Sequence, residues 1–152
     1  MTITKELIKE RFEEFNQKYF NDQLGKCRFY FLPKTQPTLG KYNGQEDRRR
    51  NPIDRIGIGT SGIWYEELFK RVLIHEMVHM YNRRIDDCRW DGVLGHGRHF
   101  RRQARRIRRE FGIDVDTRNM KVDFINPDLY PRRWAKIILW IPLRQIRPLG
   151  IY

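Results

Sequence analysis

The sequence predicts an α+β fold in which a small three-stranded sheet packs on helices. Three observations predict it: an amphipathic segment opens the chain, three short strand-like segments follow, and two long helical segments come next. Strands and helices that come in separate runs are typical of the α+β class. The 152 residues are enough for one domain with its own hydrophobic core.

The first element is an amphipathic helix, predicted over residues 4–20. Turn-forming residues at 21–25 end it. Its large apolar side chains recur at i, i+4, i+7 and i+11, which places them on one helical face. These side chains belong to Ile8, Phe12, Phe15 and Tyr19.

Three strands are predicted next, at 27–32, 38–43 and 53–59. The first is rich in aromatic residues, and the last alternates isoleucine with other residues, as half-buried strands do. The intervening residues 44–52, GQEDRRRNP, are predicted to form a polar loop between the last two strands.

A long helix is predicted from about residue 61 to residue 84. Glu66 and Glu67 suit its first turn, where the helix dipole favours anions. Apolar residues on most of its sides indicate a central helix that other elements cover. They are Leu68, Phe69, Val72, Leu73, Ile74, Met77, Val78 and Met80.

A loop rich in aspartate and glycine is predicted at 85–95, and a further helix from about 96 to 111. The apolar stripe of this helix is Phe100, Ala104, Ile107 and Phe111.

We expect residues 1–152 to form a single domain, with its core at about 5–112 and a basic and apolar extension at about 113–152. In the extension, the apolar segment 134–143 favours packing, although base stacking by Trp134 and Trp140 or contact with a membrane surface stays open.

The bulk composition bears on partners and compartment. The net charge of +12 arises from 31 Lys+Arg against 19 Asp+Glu, and it predicts attraction to polyanions such as nucleic acid. The only two cysteines, Cys27 and Cys88, exclude a disulfide framework and a cysteine-rich zinc module. With no signal peptide and no apolar run long enough to span a bilayer, we expect a cytoplasmic protein.

The run HEMVH, His75 to His79, predicts a metal site inside the long helix. Positions i and i+4 lie on one helical face, so His75 and His79 can bind one ion. Glu76 is rotated about 100° from His75, which places it beside a metal-bound water, where it can act as a general base. This is the chemistry of the HExxH motif, and zinc is the expected metal.

A catalytic zinc takes three protein ligands, and the run GHGRHF offers the third. Gly95 and Gly97 flank His96 and allow the backbone to approach a metal, which favours His96 over His99. The residues alone leave both open. Asp86, Asp87 and Asp91 could accept the second N–H of a ligating histidine, or could form only a solvated acidic loop.

HEMVH followed by GHGRHF resembles the SprT-like (Spartan-type) metallopeptidases. The segments KYFNDQL, LGKY (39–42) and IGIG upstream are similar to that family too, and the likeness covers roughly residues 5–112. The resemblance implies a zincin-like fold, with His75, His79 and His96 as zinc ligands and Glu76 as the catalytic residue. It also implies cleavage of proteins that are associated with or crosslinked to DNA. The cysteine-rich zinc ribbon that many members carry is absent from this sequence.

Two functions from different classes follow. The first is a zinc metalloendopeptidase whose protein substrates lie on single-stranded or damaged DNA, which Arg101, Arg102, Arg105 and Arg106 would contact. The alternative is a catalytically silent, zinc-stabilised DNA-binding module. Retention of Glu76 favours the enzyme, because a structural zinc site needs no base. A scaffold protein that acts through the apolar segment of the extension is a third possibility.

Overall fold

The structure is a computed structural model, and it describes residues 1–34, 38–60, 63–92 and 95–115. Its elements confirm the predicted α+β class, with three helices and a three-stranded mixed sheet in the described ranges. They are α1 (Lys5–Phe20), β1 (Cys27–Phe31), β2 (Gly40–Glu46), β3 (Pro52–Ile58), α2 (Glu66–Arg84) and α3 (Arg98–Phe111). None of the helices in the described ranges has the length and apolar character that crossing a bilayer requires. The extension from residue 116, with its 134–143 segment, lies outside the described residues.

Helix α1 begins and ends where its sequence favours it. The Thr4 hydroxyl accepts a hydrogen bond from the Leu7 backbone N–H and caps the first turn. Asn21 ends the helix in the left-handed conformation, which asparagine tolerates better than most residues. All four predicted stripe residues, Ile8, Phe12, Phe15 and Tyr19, are buried as expected.

The sheet has the order β1-β3-β2, with β1 parallel and β2 antiparallel to β3. Strand β2 is longer than predicted and takes in residues 44–46, which were expected in the polar loop. Gly44 pairs with Asp54 and Glu46 with Pro52, so the turn shortens to residues 47–51. The Asp47 carboxylate closes that turn by accepting the backbone N–H groups of Arg49 and Asn51.

Helix α2 packs against β2, β3, α1 and α3, and it is central, as its composition predicts. All eight predicted apolar residues of this helix are buried. It begins at Glu66 and not near residue 61, because Tyr65 is extended (φ −126°, ψ 160°). Trp64 is buried just before it, and its indole N–H donates to the Gly59 carbonyl.

A buried ion pair connects the sheet to the last turn of α2. Asp54 on β3 is 4% exposed. Arg84 Nε donates to both of its carboxylate oxygens, at 3.0 Å to Oδ1 and 2.9 Å to Oδ2. The Tyr42 hydroxyl of β2 donates to the same carboxylate at 2.6 Å. Arg84 also donates to the Gln45 carbonyl. Paired in this way, the buried charges stabilise the position of β2 beside α2.

Helix α3 begins at Arg98, two residues later than predicted, because Gly97 has a non-helical ψ of −146°. His96 therefore lies in the loop before the helix. Phe100 and Ile107 of the predicted stripe are buried, and Ala104 is half-buried. Phe111 is 39% exposed and is not part of the buried stripe, and its ring packs edge to face with Tyr19, with centroids 4.9 Å apart.

Candidate metal centre

Helix α2 presents two histidines one turn apart toward the loop that precedes α3. His75 is 4% exposed and His79 is half-buried. The loop brings His96 to the same place, and the first turn of α3 adds the ring of Phe100. That ring lies with its centroid 4.6 Å from His75 and His96 and 4.8 Å from His79. Phe100 thus forms an apolar wall that all three imidazoles share.

The Nε2 atoms of the three histidines form a nearly equilateral triangle. His75 and His79 are 3.1 Å apart, His79 and His96 3.2 Å, and His75 and His96 3.0 Å, each measured between Nε2 atoms. Nitrogens that bind one tetrahedral zinc at about 2.0–2.1 Å stand about 3.3 Å apart. The triangle therefore has nearly the size that a shared zinc ion requires.

Hydrogen bonds among the rings do not account for this triangle. His75 Nδ1 lies 2.8 Å from the Val115 carbonyl, which can only accept, so the ring proton is on Nδ1 and Nε2 has a lone pair. Neutral His79 and His96 could each donate one proton to it. The third contact, between the Nε2 atoms of His79 and His96, would then place two N–H groups against each other. A cation at the centre satisfies all three nitrogens at once, so the residues fit a metal ion.

The protonation of His79 agrees with a ligand role. Burial and, to a lesser extent, the nearby His75 and His96 rings together lower its pKa to about 2. The ring is therefore neutral at physiological pH, and a neutral imidazole is the form that binds a metal.

His96 reaches the centre because two glycines shape its loop. Gly95 has φ +69°, and a Cβ built on it would lie 3.3 Å from the His79 ring. A Cβ on Gly97 would lie within van der Waals overlap of Asp91. His99, in contrast, has its Nδ1 3.4 Å from the Asp86 carboxylate, and it is not part of the histidine cluster. The structure therefore places His96 with the α2 histidines and His99 beside an aspartate.

Among the described hydrogen bonds, none joins a loop aspartate to the clustered histidines, and Asp86 and Asp91 bind α3 instead. Asp91 accepts the backbone N–H of His99 at 3.1 Å and that of Phe100 at 2.6 Å. This replaces the side-chain cap that Gly97 cannot provide. Asp86 pairs with His99 and Arg102. The partner of His75 is a backbone carbonyl, which no sequence pattern could have identified.

Glu76 is buried at 5% exposure, and its carboxylate lies against β2. A Cβ on Gly40 would lie 2.7 Å from Glu76 Oε1, so only glycine leaves room for this carboxylate. Burial raises the pKa of Glu76 to about 8, although the Tyr42 backbone N–H donates to the carboxylate and opposes the rise. Sequence reasoning missed Gly40 as a site residue; its place in the LGKY run was the available signal.

The four arginines predicted to contact nucleic acid occupy α3 immediately after the cluster. Arg101 and Arg105 are exposed, and each donates its Nε to a backbone carbonyl one turn earlier. Arg102 is exposed and pairs with Asp86. Arg106 points inward: it donates to the Tyr19 carbonyl at 2.7 Å and lies 5.9 Å from the Phe20 ring centroid. Of the four predicted arginines, Arg101, Arg102 and Arg105 therefore remain exposed for contact with a partner.

The fold and the site define a class: an α+β protein whose central helix and following loop carry a three-histidine candidate metal centre. The SprT-like family model matches residues 8–119, most of the chain. The chain therefore belongs to the SprT-like family. A search of curated proteins finds no match.

Proposed function

We propose that this protein is a zinc-dependent metalloendopeptidase. The observation that carries the proposal is the triangle of Nε2 atoms from His75, His79 and His96, with the buried Glu76 next to the first ligand in the chain. Membership of the SprT-like family supports it. Three imidazoles and no carboxylate suit zinc far better than calcium or magnesium, which prefer oxygen ligands. We infer a zincin-like fold, in one domain that includes the extension.

The roles of the residues follow from their chemistry. His75, His79 and His96 would hold zinc, which when bound polarises a peptide carbonyl and lowers the pKa of a bound water. Glu76 would take the proton of the attacking water and pass it to the leaving amide nitrogen. Gly40 and the Tyr42 N–H would hold the carboxylate in position.

We infer that the substrates are proteins associated with DNA or crosslinked to it, and that the DNA is single-stranded or damaged. The exposed arginines of α3 follow the third proposed ligand by only a few residues, so a bound phosphate backbone would pass close to the proposed metal centre. The net charge of +12 supports a polyanionic partner. We also propose a cytoplasmic location, which the two unpaired thiols, Cys27 and Cys88, favour.

The test compares wild type with Glu76→Gln, which keeps the shape of the side chain and removes the base. A matched control is Glu67→Gln, on the exposed side of the same helix. We expect all three proteins to bind one zinc per chain. Cleavage of a protein substrate, measured with and without single-stranded DNA, should fall roughly 100-fold or more in Glu76→Gln alone, since general bases contribute about 10²–10⁴-fold.

Equal cleavage by Glu76→Gln and wild type would exclude the peptidase mechanism. Zinc and DNA binding with no cleavage by any of the proteins would favour the alternative, a catalytically silent zinc-stabilised DNA-binding module. Absence of zinc from purified wild type would exclude both.

A further inference from the structure

The chain folds back onto α2 immediately after α3. Gly112 ends α3 with φ +70°, a conformation that glycine adopts without strain. Ile113 and Val115 follow and are 4% and 1% exposed, so their side chains belong to the hydrophobic core. We refer to residues 112–115 as the return segment. Burial of two of its three side chains fixes where the segment lies along α2.

Two successive carbonyls of the return segment accept hydrogen bonds from α2. Arg71 Nε donates to the Asp114 carbonyl at 2.5 Å. His75 Nδ1 donates to the Val115 carbonyl at 2.8 Å. Arg71 and His75 are four residues apart and so lie on one face of the helix, one turn from each other. The arginine therefore contacts the same short stretch of backbone as the proposed zinc ligand.

We propose that Arg71 is a positioning residue for the metal centre, because it aims the Val115 carbonyl at His75. The proposal rests on the zinc site described above, and it adds a residue that does not itself touch the metal. Side-chain burial places Val115 but does not by itself set the orientation of its neighbouring peptide planes. The hydrogen bond from Arg71 to the Asp114 carbonyl fixes the peptide plane between Asp114 and Val115. This plane precedes the Val115 carbonyl, so fixing it restricts the directions in which that carbonyl can point.

The direction of this carbonyl decides which nitrogen of His75 carries the proton. An acceptor at Nδ1 holds the proton there and leaves the Nε2 lone pair directed at His79 and His96. If the carbonyl turned away, the ring could move its proton to Nε2, and that tautomer cannot bind a metal through Nε2. Partners of ligating histidines contribute about 10–100-fold to metal affinity. We expect a loss of this size when Arg71 no longer holds the segment.

The experiment replaces Arg71 with methionine, which keeps the apolar stem and removes the donor. The matched control is Arg83→Met, since Arg83 is half-buried on the same helix and its Nε makes no hydrogen bond within the described residues. Two quantities are measured in full-length protein. One is the tautomer of His75 in the metal-free state, from the ¹⁵N chemical shifts of its ring. The other is the zinc dissociation constant, by competition with a chromogenic chelator.

We expect the Nδ1–H tautomer at His75 in wild type and in Arg83→Met. In Arg71→Met, the Nε2–H tautomer should appear and zinc should bind about 10–100-fold more weakly. Unchanged affinity in Arg71→Met, equal weakening in both variants, or weaker binding with an unchanged tautomer would each overturn the proposal. If Arg71→Met does not fold, wild type still decides: a proton on Nε2 of metal-free His75 overturns it, and a proton on Nδ1 supports it.

These results are separable from those on the proposed function. The tautomer is measured without metal and without substrate, so failure of zinc binding or of cleavage in wild type would leave the role of Arg71 open to its own test. Conversely, a zinc peptidase indifferent to Arg71 would refute only the positioning role.

Discussion

His96 and His99 lie three residues apart, but only His96 faces the other two histidines of the centre. We predict that His96→Ala weakens zinc binding by roughly 100-fold or more, since even a partner of a ligand contributes about 10–100-fold. His99→Ala should bind zinc within a few-fold of wild type, because its side chain contacts Asp86 instead. Chelator competition measures both. Weak binding by His99→Ala with tight binding by His96→Ala would reverse the assignment.

The buried carboxyl of Glu76 predicts an unusual pH dependence for the metal-free protein. Its pKa is about 8 when folded and near 4.5 when unfolded, so the folded state holds the extra proton between these values. Stability is therefore lost as the pH rises, at up to about 1.4 kcal/mol per pH unit. The lowered pKa of His79 acts in the opposite direction, chiefly below about pH 6.5, its ordinary value, so Glu76 is compared with its glutamine variant between pH 6.5 and 8.

In that window, the free energy of unfolding of wild type should fall by about 1–2 kcal/mol, whereas that of Glu76→Gln should stay level. Urea denaturation with a chelator present, at three pH values, measures the difference. Parallel curves for the two proteins would show that Glu76 is ionised in the metal-free fold.

At the scale of single residues, the sequence predicted the histidines of the metal centre, because their side-chain type identifies them as possible ligands. HEMVH places two histidines on one helical face, and the glycines beside His96 favoured it over His99. The sequence could not reveal the Val115 carbonyl or Arg71, because any residue supplies a carbonyl and an arginine on a basic protein is unremarkable in type. Contacts of this kind depend on where the return segment lies, which only the folded chain determines.

At the scale of elements, α3 depends on a cap from outside the helix. We predict that Asp91→Asn destabilises the protein by about 1 kcal/mol, because the amide presents a donor toward one of two backbone N–H groups. Zinc should also bind more weakly, because His96 immediately precedes the capped turn. Asp87→Asn is the matched control, since Asp87 is exposed in the same loop and asparagine tolerates its φ of +48°. Thermal unfolding and chelator competition provide the measurements; equal effects from both variants would exclude a specific cap.

Element boundaries departed from prediction where tertiary contacts override local pattern. Strand β2 extends through Gly44 to Glu46, despite polar composition, because it pairs with β3 along its whole length. Helix α2 begins late, because burial of Trp64 holds the preceding chain extended. In each case the boundary depends on strand pairing or side-chain burial, which the composition of the segment does not reveal.

At the scale of the whole molecule, the sequence predicted the α+β class and the central, covered position of α2. It did not predict that β1 runs parallel to β3 while β2 pairs antiparallel on the other side. Strand composition indicates that strands exist, but not which of them pair. The chain passes from β1 across the position of β3 to β2 at the far edge of the sheet, and then turns back into β3 between them.

The net positive charge of the molecule predicts DNA binding, and the structure indicates which arginines of α3 are exposed to take part in it. Each arginine that contacts a phosphate adds about 0.7 to the salt dependence of single-stranded DNA affinity, as the slope of log K against log salt. Replacing Arg101 and Arg105 with glutamine should therefore reduce that slope by about 1.4. Arg106→Gln should leave the slope unchanged and destabilise the fold by roughly 1–3 kcal/mol, because Arg106 binds the Tyr19 carbonyl and Gln103.

Fluorescence anisotropy with labelled single-stranded DNA at several salt concentrations measures the slopes, and urea denaturation measures stability. The comparison separates the exposed arginines, Arg101 and Arg105, from Arg106, whose charge stabilises the fold. All three contribute equally to the net charge. A slope that falls equally for Arg106→Gln would mean that the inward-facing arginine turns to the DNA on binding. A slope unchanged in the Arg101 and Arg105 variant would move the DNA site away from α3, and the arginines at 48–50 in the β2–β3 turn would then be the next basic surface to test.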